Sequence, residues 1–286
     1  MRYRGRSENR WRFVRAYYTT FQVIFSYLWL FWKAKFFGRN YRDGNIAKIH
    51  KRNAKRVYET ILKLQGLFIK VGQALSIMAN FLPEAFRAEL EGLQDQVPPR
   101  PFEEIAARIE EDLGEAPSAL FARFEKVPIA SASLGQVHEA TTKDGQRVAV
   151  KVQHHDIDET VRLDLKTIRR IVGIVQWFVP VQGLDGYYQQ IKELLKRELD
   201  FTLEADNIEK IAKNFSPEGR VLFPTPLREL STRRVITTTF VDGKKLGDIA
   251  ALDKMGIDKK ELASRLVRAY CQMIFVDGIY HADPHP

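Results

Sequence analysis

Apolar positions recur every three or four residues through most of this chain and alternate with polar ones in only a few short stretches, so helices outnumber strands. From Ala54 to Phe81 the residues Val57, Ile61, Leu64, Phe68, Val71, Leu75 and Met78 keep helical spacing and predict one helix. Further helices are predicted over 84–93, over 102–113 with Gly114 as its stop, over about 157–178 and over about 187–214. A last helix begins where Asp258 and Glu261 stand in capping-box spacing and ends at Gly278. Short β-branched runs at 133–141 and 146–153 flank Lys143-Asp144-Gly145, which predicts an antiparallel hairpin, and 233–241 reads as another strand. The stretch Val97-Pro98-Pro99-Arg100-Pro101 interrupts regular structure and divides an N-terminal helical part from the rest. No period of 20 to 50 residues recurs, which sets solenoids aside.

The segment before these helices differs in kind. Arg2, Arg4, Arg6, Arg10, Arg12 and Arg15 are followed by the strongly apolar, aromatic run Tyr17 to Phe37, with Thr19, Gln22, Ser26 and Lys33 on one narrow polar stripe. Twenty-one residues at about 1.5 Å each would reach across a bilayer core, but polar residues and Lys33 and Lys35 interrupt the run. An interfacial helix on an anionic membrane is therefore favoured over a helix packed on the protein's own core and over a span. The run lacks a small-x-small cleavage site, unlike a secretory signal.

Charge sharpens this division. Of a net +9 over 286 residues, residues 1–56 carry 15 Lys and Arg against Glu8 and Asp43, a net of +13, and the remainder is net −4. A chain basic in one part only does not fit a nucleic-acid-coating protein. The single cysteine, Cys271, excludes an internal disulfide framework and fits a reducing compartment; its apolar helical surroundings predict a buried, inert thiol.

The order of strands, helices, a further strand and a polar loop matches the small lobe of a protein kinase and the entry to its large lobe. Lys151 closes Val148-Ala149-Val150-Lys151, after the small-residue loop Ala130-Ser131-Ala132-Ser133-Leu134-Gly135-Gln136, a relation suited to holding nucleotide phosphates. By itself the lysine reads as a solvent-facing strand residue and the loop as a turn of small residues, and only the loop before it and the carboxylates after it favour the phosphate-binding role; the Cβ atoms of alanine and serine bar the backbone of a glycine-rich loop. In Glu198-Leu199-Asp200-Phe201-Thr202-Leu203-Glu204, read as helical, Asp200 and Glu204 fall one turn apart on one face, and Glu204 is the better partner for Lys151. Lys70 is the charged exception in an apolar stretch and either snorkels or meets a carboxylate, with Gln73 on the same face. In His281-Ala282-Asp283-Pro284-His285-Pro286, Asp283 stands where a kinase's catalytic-loop carboxylate would follow its helix; metal ligation by the histidines is the competing reading.

Together, Lys70-Val71-Gly72-Gln73, the Ala130–Gln136 loop, Lys151, the segment around Glu198 to Asn207 and the final His-Ala-Asp-Pro-His-Pro resemble the UbiB family of atypical kinase-like proteins, also called the AarF or ADCK type, over about residues 57–286. The resemblance implies an α+β fold: a kinase-like small lobe of antiparallel sheet and helices, with an N-terminal helical extension. The expected parts are a basic membrane-associating segment at 1–56, a helical extension at 57–97, a small lobe at 98–241 and the start of the large lobe at 242–286. Implied roles are nucleotide binding by Ala130, Ser131, Ala132, Ser133, Leu134, Gly135, Gln136, Lys151 and Glu204, catalysis by Asp283, and control by Lys70 and Gln73 of the extension contacting Glu198 and Asp200. Ser131 stands where many members have alanine.

The same resemblance implies ATP or ADP with Mg²⁺ as cofactor, atypical kinase or ATPase activity, and support of ubiquinone or other prenyl-lipid metabolism at the cytoplasmic face of a membrane, attached peripherally. A nucleotide-sensing or lipid-handling pseudokinase scaffold without turnover is the alternative. Partners would be an anionic membrane surface and prenyl-lipid or quinone-pathway components, with a homodimer admitted and nucleic acid not. The Mg²⁺-binding asparagine would fall beyond Pro286, so the expectation is a large lobe cut short, no metal site within the chain and little phosphoryl transfer by these 286 residues alone.

Overall fold

A computed structural model describes residues 6–78, 82–93, 97–178, 183–216 and 220–282. The chain forms two compact units: Met1–Glu104 with Ala130–Gln136 and Gln153–Arg197, and Ile105–Ile129 with Val137–Val152 and Glu198–Pro286.

The first unit is helical. Its two longest helices, α1 (Arg6–Phe37) and α2 (Arg39–Leu64), are separated by Gly38, whose φ of 85° permits the sharp reversal. They run antiparallel: Arg12 reaches the Leu64 carbonyl, the Thr19 and Thr60 hydroxyls lie 2.9 Å apart, Asn53 Nδ2 donates to Ser26 Oγ, and Tyr27 hydroxyl meets His50 Nδ1 at 2.7 Å. Thus Thr19 and Ser26 of the polar stripe turn inward, with Ala16 and Leu30 buried beside them. Small side chains let the helices approach, and short polar ones satisfy one another there. The bulky face consequently points outward.

The helix predicted over 54–81 is two helices. Gln65 and Gly66 both take positive φ and end α2, and α3 (Leu67–Met78) starts afresh. Helix α4 (Glu84–Glu91) packs on both α2 and α3, with Gly72 of α3 against Leu93 and Ile61.

Most of the sheet belongs to the second unit, while its two-residue strand at 130–131 and the two helices that follow its fourth strand fall in the first. After α5 (Phe102–Leu113), ended by Gly114 at φ 82°, and the single turn α6 (Pro117–Leu120), come β1 (Phe121–Phe124), β2 (Ala130–Ser131), β3 (Gly135–Thr142) and β4 (Arg147–Gln153). The last strand, β5 (Val235–Thr239), follows α7 (Ile157–Phe178), α8 (Leu184–Glu198) and α9 (Phe201–Ala212). The sheet order is β1-β3-β4-β5, with β2 pairing β3; β1 pairs antiparallel with β3, and β4 with β5. The β3–β4 hairpin turns at Gly145, φ 89°, as the Asp-Gly signal requires. Strands β1 and β2 were not evident from periodicity, being four and two residues long.

Period-two alternation divides the faces of β4. Val148, Val150 and Val152 are fully buried against Ile105, Ile109, Phe121 and Ala140. On the other side Ile236 of β5 packs with Phe201 and Ala205 of α9. Two further helices close the unit, α10 (Ile249–Lys254) and α11 (Lys259–Gln272), the latter capped by Asp258 and followed by a π turn and Gly278 in the left-handed region. No residue of α11 is buried, and Leu266, Val267, Ile274, Phe275 and Val276 along and after it are exposed. Cys271 is exposed, not buried as its neighbours suggested, because the apolar stretch around it lies at the surface.

Candidate nucleotide site

Lys151 projects from β4 on the face opposite the three buried valines, where α9 crosses the sheet. Its ammonium lies 2.6 Å from Glu204 Oε2 and 4.6 Å from the Phe201 ring centroid. Phe201 is itself buried, so it supports the lysine from below while the charged ends remain about 40 % exposed, 38 % for Lys151 and 41 % for Glu204. Such a half-solvated pair contributes about 1 kcal/mol or less to stability. It leaves an oriented cation that an anion can share.

The start of α9 explains Glu204's position. Asp200 is the N-cap, with extended backbone and its carboxylate accepting from the Thr202 amide at 3.1 Å. The Phe201 amide donates to the Arg233 carbonyl at 3.0 Å, and Arg233 Nε approaches Asp200 Oδ2 at 4.0 Å. This corrects the reading of 187–214 as one helix. Asp200 does not lie inside a helix one turn before Glu204; it caps α9 and satisfies an amide left open at the helix start, and Glu204 occupies the first turn, where the positive end of the helix favours it. Glu198 is the last residue of α8.

In the first unit the loop Ala130–Gln136 is tied down from two segments. The Ala132 amide donates to Gly135 O at 2.8 Å, closing the turn. Gln136 Oε1 accepts from the Arg100 amide at 2.8 Å, while Arg100's guanidinium pairs with Asp156 at 2.9 Å. The His154 amide donates to Leu134 O at 3.0 Å, and its ring Nε2 lies 3.0 Å from Ala132 O. Because a carbonyl only accepts, Nε2 carries a proton, and burial is the main cause lowering this histidine's pKa. Arg100 and His154 were missed in the sequence, where one lay in a proline-rich breaker and the other just past the lysine strand. Within the loop the side chains of Ser133, Leu134 and Gln136 are buried.

Lys70 and Gln73 lie on α3 of this unit, both half-buried, and Gln73 Nε2 donates to Leu93 O at 3.0 Å. Lys151, Glu198, Asp200 and Glu204 thus belong to one compact unit, and the loop, Lys70 and Gln73 to the other. Asp283 lies outside the described residues, as does His285; His281 is exposed. Among the described residues no group of three His, Cys, Asp or Glu side chains is placed to hold a metal ion. Within the second unit the accessible Lys151 ammonium is a cation that can meet a phosphate.

Comparison with known proteins bears on this arrangement. Residues 92–286 match the ABC1 atypical kinase-like domain. The chain is 36 % identical over 272 residues to AarF domain-containing protein kinase 1 of Gallus gallus, covering 95 % of this chain and 52 % of the relative. It is 40 % identical over 240 residues to the Arabidopsis thaliana chloroplastic protein Activity of BC1 complex kinase 8, covering 82 % of this chain and 31 % of that protein. It therefore spans from about a third to about half the length of these curated relatives. Among solved structures, a Mycobacterium tuberculosis protein in complex with erythromycin shares 33 % identity at a TM-score of 0.48, covering 73 % of this chain and 54 % of the other.

Proposed function

The chain belongs to the ABC1 family of atypical kinase-like proteins, the UbiB, AarF or ADCK type, and from that premise we propose that it binds ATP or ADP through Lys151 and the Ala130–Gln136 loop. The observation that carries this reading is the Lys151–Glu204 pair at 2.6 Å, held on a sheet strand and the first turn of a capped helix. A strand-borne lysine oriented by a helix-borne glutamate is the arrangement with which kinases hold α and β phosphates. When bound with Mg²⁺, the nucleotide supplies a transferable phosphoryl group. In this chain Glu204 fixes the lysine's position, and Arg100 and His154 fix the loop.

The full reading is an atypical kinase or ATPase that supports ubiquinone or other isoprenoid-lipid metabolism, attached peripherally to the cytoplasmic face of a membrane. Its partners there would be an anionic lipid surface and quinone-pathway components. The loop itself favours a second reading: four Cβ-bearing residues at Ala130–Ser133, pinned by Arg100 and His154, suit a nucleotide sensor or pseudokinase scaffold as well as a turnover enzyme.

Nucleotide binding to this chain, followed by calorimetry, tests the site. Lys151→Ala should weaken binding at least tenfold, the loss of a charge-assisted contact of about 1.5–3 kcal/mol, and Glu204→Gln should weaken it less. Equal affinity of wild type and Lys151→Ala would refute the assignment. Hydrolysis stimulated by prenyl-lipid head-group analogues favours the enzyme; binding without turnover favours the scaffold.

A further inference from the structure

Helix α1 has two apolar faces and uses one of them. The small face, Ala16, Thr19, Ser26 and Leu30, is covered by α2. The other carries Trp11, Val14, Tyr18, Phe21, Phe25, Trp29, Trp32 and Phe36, all exposed at spacings of three and four. Phe25 is 64 % and Trp29 57 % exposed, and Trp29 stacks on Trp32 at 5.0 Å between centroids. A continuous aromatic stripe of this size is not an ordinary surface for a soluble unit. At about 1.5 Å per residue it runs about 38 Å along the helix, parallel to its axis, so its apolar contact is made lying flat.

Two features identify what covers it. First, the border is cationic: Arg15 and Lys35 are exposed on either side, Lys33 Nζ sits 5.2 Å above the Trp29 ring, and no Asp or Glu occurs from Asn9 to Arg42. Second, an open groove of about 640 Å³ is lined by Tyr18, Phe21, Gln22, Phe25, Ser26 and Trp29 of α1 and by Arg56 of α2. That volume is within the range of small-molecule sites, roughly 300–1,000 Å³. Arg56 donates to the neutral amide oxygen of Asn53 at 3.3 Å and makes no ion pair among the described residues, Glu59 one turn on included. A guanidinium with one of its five donors engaged, at the edge of an apolar groove, matches an anion that carries a hydrocarbon chain. A second copy of this face would bring like charges together.

We propose that the α1 stripe docks on an anionic bilayer and that the α1–α2 groove takes one anionic phospholipid, its acyl chain along Phe21, Phe25 and Trp29 and its phosphate on Arg56. This rests on the membrane attachment proposed above and adds the surface and the lipid chemistry.

Co-sedimentation of the 286-residue chain with phosphatidylcholine vesicles, with and without phosphatidylglycerol, tests it, alongside Arg56→Gln and the double variant Phe25→Ser with Trp29→Ser. Phe25 and Trp29 are exposed and Arg56 is half-buried, and unchanged thermal melting verifies that the variants fold. Wild type should prefer the anionic vesicles; Arg56→Gln should lose about fivefold on them and little on neutral ones, since one cation at an anionic surface contributes about 1 kcal/mol. The double variant should lose binding to both. If wild type binds neither vesicle, membrane attachment itself fails. If wild type binds and both variants bind equally well, only this surface is overturned. Competition by inorganic phosphate with no effect of the double variant would reassign Arg56 to a free anion. Self-association in sedimentation velocity that the double variant abolishes, with vesicle binding intact, would assign the stripe to a second copy.

Discussion

Asp164 of α7 is fully buried and meets Arg12 of α1 at 3.3 Å through Oδ2, while its Oδ1 has no partner among the described residues. Burial dominates over the arginine and pushes its pKa up from 3.8 to about 6. The sign follows from linkage: between about pH 4 and 6 the unfolded chain has released this proton and the folded one has kept it. The group's contribution to stability is therefore largest below pH 4 and falls as pH rises toward 6. Relative to Asp164→Asn, the wild type should gain about 2–3 kcal/mol in unfolding free energy between pH 7.5 and pH 4, measured in urea. A constant difference across that range would show that the buried carboxyl titrates as it does in water. Nothing in the sequence announced this pair, because Arg12 and Asp164 become neighbours only when α1 folds back along α2 and meets α7. Lys151 and Glu204 were legible for the opposite reason: each sits in a local pattern, one at the end of an alternating strand and the other in an acidic segment.

At the level of elements, glycine positions separate packing from propensity. A Cβ at Gly72 would lie 2.4 Å from Leu93 Cδ1 and 3.1 Å from Ile61 Cδ1, in the seam where α2, α3 and the end of α4 meet. Gly72→Val should cost about 1–3 kcal/mol by overpacking. Gly173, exposed in the interior of α7 with nothing within 4 Å of a built Cβ, should accept alanine with a gain of up to about 1 kcal/mol. Thermal or urea melts distinguish these opposite signs. Most of the elements were readable, and α7 spans the residues its apolar period marked. The breaks were harder. At Gln65-Gly66 and at Leu199-Asp200 the apolar period runs on across the interruption, and only backbone conformation and the Asp200 cap end one helix and begin another. In α1 the two apolar faces obscured which side packs, and the choice was made by side-chain size: α2 accepts Ala16, Thr19 and Ser26 where it could not accept tryptophan.

Over the whole chain, charge is distributed by segment, with +13 in residues 1–56 against −4 in the rest. No helix among the described residues is long and apolar enough to cross a membrane. With α1 lying on a bilayer, the two contributions to attachment should separate with ionic strength. Raising salt from about 0.1 to about 1 M shortens the screening length from about 10 to about 3 Å. Affinity for anionic vesicles should then fall most of the way to that for neutral ones, the small anionic preference that remains belonging to the direct Arg56–phosphate contact, and the binding to neutral vesicles should be insensitive to salt because the aromatic stripe supplies it. An anionic preference unchanged between about 0.1 and about 1 M would show that the diffuse field of the basic segment contributes nothing. Gly38 carries a different consequence, one of time. By reversing the chain between its two longest helices it makes their contacts local, whereas β4 must find β5 across the length that holds α7, α8 and α9. Local contacts form fast and distant strand pairs slowly. The α1–α2 hairpin should thus assemble well ahead of the sheet, and through that interval its unburied tryptophans make the nascent chain prone to aggregate unless a lipid surface or a chaperone meets it first.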